Sequence, residues 1–228
     1  MLTFDPLLHS SISSSPLHDP RLATLTYSIL EEASLGGQGK HIGVATSYLD
    51  SLKPDDRIHI AIRPSHVAFH LPRTPETTPI ICIAAGSGLA PFRGFIQQRA
   101  AQIKANRSLA PALLIYGCRG RGDDIYREEF DAWEAAGAVS VKRAYSRQQE
   151  ATDGCKYVQD RMLEAKETLY ELWENGAKLF VCGSRQVGNA VEAACIELIS
   201  ELKETDKESA RKYLDENRNE RFATDVFE

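Results

Sequence analysis

The sequence predicts an α/β fold, in which a parallel sheet with helices on both faces follows a smaller segment of mainly β character. After Pro79, short apolar runs alternate with stretches of helical pattern, which is typical of a parallel sheet covered on both sides. Before it, apolar and polar residues alternate over 23–29 and again from Ile58, as in half-buried strands. The proline-rich segment 71–79 separates the two patterns and divides the chain into domains 1–78 and 79–228.

The same periodicity assigns the elements in chain order. The first domain is expected to hold a strand at 23–29, a short helix at 46–52 and a second strand from Ile58. In the second domain, the predicted strands are 80–84, 112–116, 139–144 and 178–182. The predicted helices follow these strands: one ends near Ala105, and the others span 124–136, 157–175, 187–202 and 207–217.

Composition excludes several classes of protein. The chain has 228 residues and a net charge of −5, which gives no electrostatic argument for nucleic-acid binding. No apolar run approaches the length of a membrane span, and the N-terminal residues lack the basic and apolar regions of a signal peptide. The five scattered cysteines are interpreted as reduced thiols of a cytoplasmic protein. The six histidines, all in the first third, are interpreted as surface or partly buried groups rather than metal ligands.

The stretch 79–95 carries the strongest functional signal. An apolar run stops at Gly86-Ser87-Gly88 and passes into a helical pattern with Pro91 in its first turn. A strand, a tight loop and a helix N-terminus in succession aim backbone N–H groups at one spot, which suits a pyrophosphate. The two glycines are expected to permit the turn and a close approach by the ligand, with Arg93 beside the phosphate. By itself, such a loop is as often an ordinary connection between strand and helix.

Three further strand ends are rich in glycine, serine or arginine. They are Gly117-Cys118-Arg119, Tyr145-Ser146-Arg147 and Cys182-Gly183-Ser184. Ligands of open parallel sheets bind outside the carboxyl ends of the strands. The four segments are therefore expected to form one ligand-binding edge.

Eight motifs, taken in order, resemble those of the diflavin NADPH–hemoprotein reductases, and most of all the reductase portion of self-sufficient fatty-acid hydroxylases. The motifs occupy residues 11–16, 43–46, 86–95, 116–119, 146–147, 157–159, 181–183 and 221–227. The resemblance implies a Rossmann-like NADP-binding sheet over 79–228, preceded over 1–78 by a partial antiparallel β-barrel, a truncated FAD domain. It also implies ferredoxin–NADP reductase-like hydride transfer from NADPH to FAD. Electrons then pass through FMN to a haem mono-oxygenase, so that an FMN domain and a haem protein are the expected partners.

The resemblance also implies the residues that bind NADPH. The pyrophosphate is expected on the Gly86-Ser87-Gly88 loop, with Arg119 among the cofactor-binding residues. Ser146 and Arg147 are expected to bind the 2′-phosphate, since a guanidinium fork against a phosphate dianion favours NADPH over NADH. The other residues of this pocket are Lys156, Tyr157 and Gln159.

The residues of hydride transfer and flavin binding are likewise implied by the resemblance. Ser11, Cys182 and Asp225 are expected around the nicotinamide, where they orient the ring and stabilise developing charge. Phe227 is expected to stack on the flavin ring until NADPH displaces it. The expected FAD contacts are Ser13 and Ser14 together with the turn Gly43, Val44, Ala45 and Thr46.

Three departures from the family pattern matter. Leu8 and Ser10 replace the arginine and tyrosine of the flavin motif, which weakens the expected FAD site. Cys155 stands where relatives have a lysine, and Lys156 follows it. The chain begins just before the flavin motif, so the FMN domain, the connecting domain and the first barrel strands are expected to be missing. Two functions stay open: an NADPH-dependent flavin reductase module, and a non-catalytic NADP(H)-binding or interaction module without flavin.

Overall fold

The computed structural model describes residues 11–29, 31–33, 40–42, 44–60 and 68–227. The strands are β1 (Glu31–Ala33), β2 (Lys40–Ile42), β3 (Ile80–Ala85), β4 (Ala112–Cys118), β5 (Ser140–Tyr145), β6 (Lys178–Ser184) and β7 (Phe222–Phe227). The helices are α1 (Val44–Ser51), α2 (Ala90–Lys104), α3 (Arg127–Ala135), α4 (Val158–Glu164), α5 (Lys166–Glu174), α6 (Arg185–Leu202) and α7 (Lys207–Glu216). None of these helices combines the length and the apolarity that crossing a membrane requires.

Five parallel strands form the main sheet of the described chain, in the order β5-β4-β3-β6-β7. The chain runs from β3 to β4 and then to β5 at one edge of the sheet. It then crosses back to β6, on the other side of β3, and ends with β7, so the strand order reverses between β3 and β6. Ile80 pairs with Ala112 of β4 on one side and with Lys178 of β6 on the other. The predicted α/β class with a parallel sheet between helices is confirmed.

The sheet is sandwiched between two apolar clusters because alternate residues of each strand point to opposite faces. From β3, Ile81 and Ile83 join the cluster formed with α4, α5, α6 and α7. Ile80 and Cys82 join the other cluster, formed with α2 and α3. This burial on both faces explains why β3 is apolar at nearly every position.

Two elements of the second domain differ from the sequence prediction. The helix predicted over 157–175 is divided into α4 and α5 at Ala165, where φ is −92° and ψ is 16°. No glycine or proline marks that break in the sequence. The strand β7 was not predicted at all, since Thr224 and Asp225 give it a polar centre and its last four residues are exposed.

The chain before the proline-rich segment matches its predicted pattern only in part. The helix expected at 46–52 is present as α1, and β1 pairs with β2 in antiparallel register. The expected strand at 23–29 is reduced to one antiparallel bridge between Ile12 and Leu25. Residues 58–60 are not in a strand, and Ile60 is 68% exposed, so the alternation there does not place its apolar residues in a core. The rest of that predicted strand lies outside the described residues.

Gly88 provides a direct test of how the loop after β3 packs. A Cβ on Gly88 would lie 2.3 Å from the Cys182 carbonyl oxygen, whereas one on Gly122 would meet nothing within 4 Å. We expect Gly88→Ala to lower the free energy of unfolding by roughly 2 kcal/mol or more, because backbone must move to admit the methyl group. Gly122→Ala is the matched control and should change it by no more than about 0.5 kcal/mol. Urea unfolding followed by circular dichroism measures both, and equal values for the two variants would contradict the packing described.

Candidate functional site

The loop after β3 forms the centre of the carboxyl edge of the sheet. Gly86–Leu89 is a 3₁₀ turn that leads directly into α2, with Pro91 at the helix start. Gly86 is exposed with φ of +56°, and a Cβ added to it would meet nothing within 4 Å, so it supplies both the turn and an open approach. Ser87 is half-buried beside it. The α2 N-terminus and this open turn together can receive an anionic group.

Gly88 has a different role from the one expected. It is buried, and its missing Cβ admits the backbone of Cys182 and Gly183 at the end of β6. The glycine therefore allows close packing between the loop and β6, whereas Gly86 leaves open space beside its own backbone.

The ends of β4 and β5 are joined beyond the last residues of the strands. The Ser146 amide donates to the Cys118 carbonyl and the Arg147 amide to the Arg119 carbonyl, each at 2.9 Å. The Arg121 amide donates to Gln148 Oε1 at 3.0 Å. These bonds place Arg119, Ser146 and Arg147 on neighbouring backbone at the same edge of the sheet.

The charges at this edge are partly balanced. Arg119 donates to both carboxylate oxygens of Asp123, at 2.9 and 2.6 Å, and this hydrogen bonding lowers the pKa of Asp123, with a further contribution from the charge of Arg147. The side chains of Arg119 and Arg147 are both exposed. Their basic groups are accessible to an anion from solvent.

The start of α4 brings a second group of predicted residues to the end of β5. The Tyr145 amide donates to the Cys155 carbonyl at 3.2 Å, which fixes the segment before α4 against β5. Asp160 then accepts from the amides of Lys156 and Tyr157, at 3.0 and 2.8 Å. The Lys156 ammonium lies 5.1 Å from the centre of the Tyr157 ring, and both side chains are exposed. Gln159 is half-buried one residue into the helix.

Ser11, Cys182 and Asp225 meet at the other side of the edge. Cys182 and Asp225 are register partners on the parallel strands β6 and β7. Ser11 Oγ donates to Asp225 Oδ2 at 3.4 Å, although the two residues are 214 positions apart. Phe227 follows Asp225 by two positions on β7, so it faces the same side of the sheet, and it is 43% exposed. The structure therefore brings together the three residues expected around a nicotinamide and the aromatic residue expected beside them.

Burial sets the ionisation of the Cys182 thiol. Desolvation, and after it the charge of the Asp225 carboxylate, raise the pKa of Cys182 far above its ordinary value. A raised pKa reduces the thiolate fraction at every pH below it. Cys182 is therefore a neutral thiol, able to act as a weak hydrogen-bond donor rather than as a nucleophile or base.

The residues expected to bind flavin are placed less favourably. Ser13 is fully buried, with its hydroxyl 3.1 Å from Thr24 Oγ1, and Ser14 Oγ accepts from the Thr24 amide at 2.9 Å. Their side chains thus hold the N-terminal segment together. Val44, Ala45 and Thr46 form the first turn of α1. Gly43, Leu8 and Ser10 lie outside the described residues.

Arg93 is the residue whose place the sequence misjudged. It was expected beside a phosphate, but its guanidinium forms a bidentate pair with Glu129 of α3, at 2.8 and 3.0 Å. Its Nη1 donates to the Ser13 carbonyl at 2.8 Å and to Thr24 Oγ1 at 3.1 Å. The motif alone did not reveal these partners, because a residue in the first turn of a helix can point toward the preceding loop or toward a neighbouring helix.

Comparison with known proteins finds a matching family model and several relatives. Residues 82–193 match the family model described as the oxidoreductase NAD-binding domain. A bifunctional cytochrome P450/NADPH–P450 reductase of Fusarium oxysporum is 54% identical over 224 residues, which are 96% of this chain and 21% of that protein. Residues 82–193 are therefore identified as an oxidoreductase NAD-binding domain, and almost the whole chain is similar to a part of this P450/NADPH–P450 reductase.

Two further relatives carry similar names. A self-sufficient cytochrome P450 monooxygenase of Phanerodontia chrysosporium is 45% identical over 96% of this chain, and one of Exserohilum turcicum is 43% identical over 95% of it. Each is matched over 21% of its own length. The chain thus spans about a fifth of the curated relatives that it matches, in which the NAD-binding domain is part of a protein named as a P450 monooxygenase or a P450/reductase fusion.

The thiols of the NAD-binding domain offer a test of the site's burial. Burial and the nearby Asp124 raise the pKa of Cys118 to about 11, and Cys118 is half-exposed while the other four cysteines are buried. At pH 8 we expect iodoacetamide to modify Cys118 first and Cys182 only after unfolding in urea, because both access and thiolate fraction are lower for Cys182. Peptide mass spectrometry reads the order. Modification of Cys182 in the native protein at the rate of Cys118 would show that the site is open to solvent.

Proposed function

We propose that this chain binds NADPH at the carboxyl edge of its parallel sheet and delivers hydride to FAD, as the reductase portion of a P450 reductase system. Residues 79–228 form the NADPH-binding domain in this proposal, and residues 1–78 belong to an FAD-binding β-barrel. Electrons then pass through an FMN domain to a haem mono-oxygenase. The names of the relatives, which pair a P450 with an NADPH–P450 reductase, support these partners.

The contact between Ser11 and Asp225, beside Cys182, carries the proposal. A hydroxyl, a thiol and a carboxylate from opposite ends of the chain converge next to the Gly86 turn, where the loop packs on Cys182. A structural role does not require this combination of groups at a partly exposed strand end. Groups of this kind can orient a nicotinamide ring and stabilise charge that develops on it.

The exposed basic groups suit the other end of NADPH. In the proposed pose, Ser146 and Arg147 bind the 2′-phosphate, Lys156, Tyr157 and Gln159 complete its pocket, and Arg119 contributes charge from β4. Gly86, Ser87 and the N–H groups at the start of α2 bind the pyrophosphate, while Gly88 keeps that loop against β6. In this pose the 2′-phosphate pocket lies with β4, β5 and α4 and the Ser11 group with β6 and β7, on opposite sides of β3, and this separation suits an elongated dinucleotide.

The described residues fit part of a flavin. When bound, FAD supplies the ring that accepts hydride and divides the electron pair between one-electron carriers. Asp225 and Phe227 offer it an exposed carboxylate and an exposed aromatic ring on one face of β7. The neutral Cys182 thiol lies one strand away and can donate a weak hydrogen bond without taking part in proton exchange. The turn of residues 43–46 at the start of α1 is proposed for the FAD pyrophosphate.

Arg147 provides the test of cofactor choice. We expect Arg147→Ala to weaken NADPH binding about tenfold or more and to leave NADH binding nearly unchanged, because only NADPH has a 2′-phosphate to lose its charged hydrogen bonds. Isothermal titration calorimetry with both nucleotides measures this. Arg73→Ala is the control, since Arg73 is an exposed arginine before β3 and so at the opposite end of the sheet. An equal loss for both nucleotides would remove the 2′-phosphate assignment.

The hydride-transfer step is tested by anaerobic flavin reduction. We expect NADPH to bleach FAD faster with the protein than without it, and Cys182→Ala to slow that bleaching by at least about tenfold through loss of ring orientation. Cys195→Ala is the matched control, because Cys195 is an equally buried thiol on α6 in the opposite cluster. Tight NADPH binding without faster bleaching would instead support a nucleotide-binding module that holds no flavin.

A further inference from the structure

The side chain of Arg93 joins the N-terminal segment to two helices of the NAD-binding domain. It is only 11% exposed, and its fork binds both carboxylate oxygens of Glu129 on α3. The opposite edge of the guanidinium donates to the Ser13 carbonyl and to Thr24 Oγ1. The guanidinium carbon also lies 4.3 Å from the centre of the Tyr126 ring. No donor facing a cofactor is left on this side chain, since Nε and both terminal nitrogens have partners.

Neighbouring contacts show that α2 is shaped to receive this segment. The Ser15 amide donates to Gln97 Oε1, one helical turn after Arg93, at 2.8 Å. A Cβ on Gly94 would lie 3.2 Å from the Ser14 carbonyl oxygen, so glycine permits the segment to lie on the helix backbone. The Tyr126 hydroxyl lies 2.8 Å from Thr26 Oγ1, one residue after the Ile12–Leu25 bridge. Residues 13–15 and 24–26 therefore pack against α2 and against Tyr126, the residue before α3.

The position of Ser11 depends on the contacts that residues 13–15 and 24–26 make with α2 and Tyr126. Ser11 lies two residues before Ser13, whose amide donates to the Thr24 carbonyl at 2.8 Å, and the bridge between Ile12 and Leu25 follows from that pairing. Arg93 donates to the Ser13 carbonyl and to the Thr24 hydroxyl, so it contacts one residue beside each partner of the bridge. Cys182 and Asp225 are instead held in register by the ladder between β6 and β7. Of the three residues, Ser11 is thus the one whose segment is joined to α2 and to Tyr126 by side-chain contacts.

We propose that Arg93 is a positioning residue for hydride transfer: by holding the Ser13 carbonyl and the Thr24 hydroxyl against α2 and α3, it sets the Ser11 hydroxyl against Asp225. The inference rests on the proposed function, because it gives Ser11 a role at the nicotinamide. A lysine cannot replace the arginine fully, since one ammonium cannot meet the Glu129 carboxylate and the two acceptors on the opposite edge at once.

A double-mutant cycle tests the proposal. We expect Arg93→Met and Ser11→Ala each to slow anaerobic FAD reduction by about tenfold, and the double variant to be slower than either by less than about twofold, because both remove the same interaction. NADPH affinity should stay within about twofold for all three, since neither residue touches the nucleotide's phosphates in the proposed pose. Effects that multiply in the double variant would overturn the positioning role. Arg107→Met is the matched control: Arg107 also forms an ion pair, with Glu76, but just after the end of α2.

Amide hydrogen exchange gives a readout that does not need turnover. The amides of Ser13 and Ser15 should exchange faster in Arg93→Met, with a smaller change in Arg93→Lys, while the amides of β3 should be unchanged. Unchanged exchange at Ser13 and Ser15 would show that Arg93 does not hold the segment and would overturn the inference, whatever the kinetics. If the native protein binds NADPH but never reduces FAD, the proposed function fails. Faster amide exchange at Ser13 and Ser15 in Arg93→Met would then show that Arg93 holds the N-terminal segment without a role in hydride transfer. Arg93→Lys replaces Arg93→Met in the cycle if the latter does not fold.

Discussion

The close approach of Gly88 to the end of β6 is the constraint on which the carboxyl edge of the sheet depends. A side chain at that position would overlap the Cys182 carbonyl, so the loop after β3 lies against β6 only because the residue is glycine. That contact brings the open Gly86 turn and the start of α2 beside the strand that carries Cys182. The strand pairing then places Asp225 next to Cys182, and the N-terminal segment reaches both. A shift of this one loop would separate the anion-binding turn from the hydroxyl, thiol and carboxylate beside it.

The chemical character of the carboxyl edge differs on the two sides of the loop after β3. On the β4 and β5 side, the exposed arginines Arg119 and Arg147 stand on loops that backbone hydrogen bonds join, and Asp123 balances part of their charge. On the β6 and β7 side, the converging groups are a hydroxyl, a buried thiol and a carboxylate beside an exposed aromatic ring, and the exposed Arg185 begins the helix that follows β6. A ligand with a highly charged phosphate at one end and an uncharged or cationic ring at the other matches this division. Nicotinamide dinucleotides have that form, and in the proposed pose Arg147 distinguishes those that carry a 2′-phosphate.

The sequence predicted the NAD-binding domain well because its signals are local. The strands β3, β4 and β6 are apolar runs that end in glycine-rich turns, and runs of that kind report burial directly. The break at Ala165 and the strand β7 were missed since neither has a local signal: no helix-breaking residue marks the first, and the second is polar where it pairs with β6. The strand predicted at 23–29 failed for the opposite reason, because its alternating pattern is present but within the described residues 23–29 only Leu25 forms a β-bridge, to Ile12.

The candidate site was predicted residue by residue from motifs, yet the structure separates two kinds of motif residue. Cys182 and Asp225 are fixed by backbone pairing, so the ladder between β6 and β7 is enough to place them together. Ser11 is different, because its bond to Asp225 is long and its segment is tied down by Arg93, Gln97 and Gly94, which share no periodic signal with it. The geometry at Asp225 is therefore as stable as the sheet, while the geometry at Ser11 depends on a few side-chain contacts. A substitution in the N-terminal segment can therefore change the geometry at Ser11 without disturbing the pairing of Cys182 with Asp225.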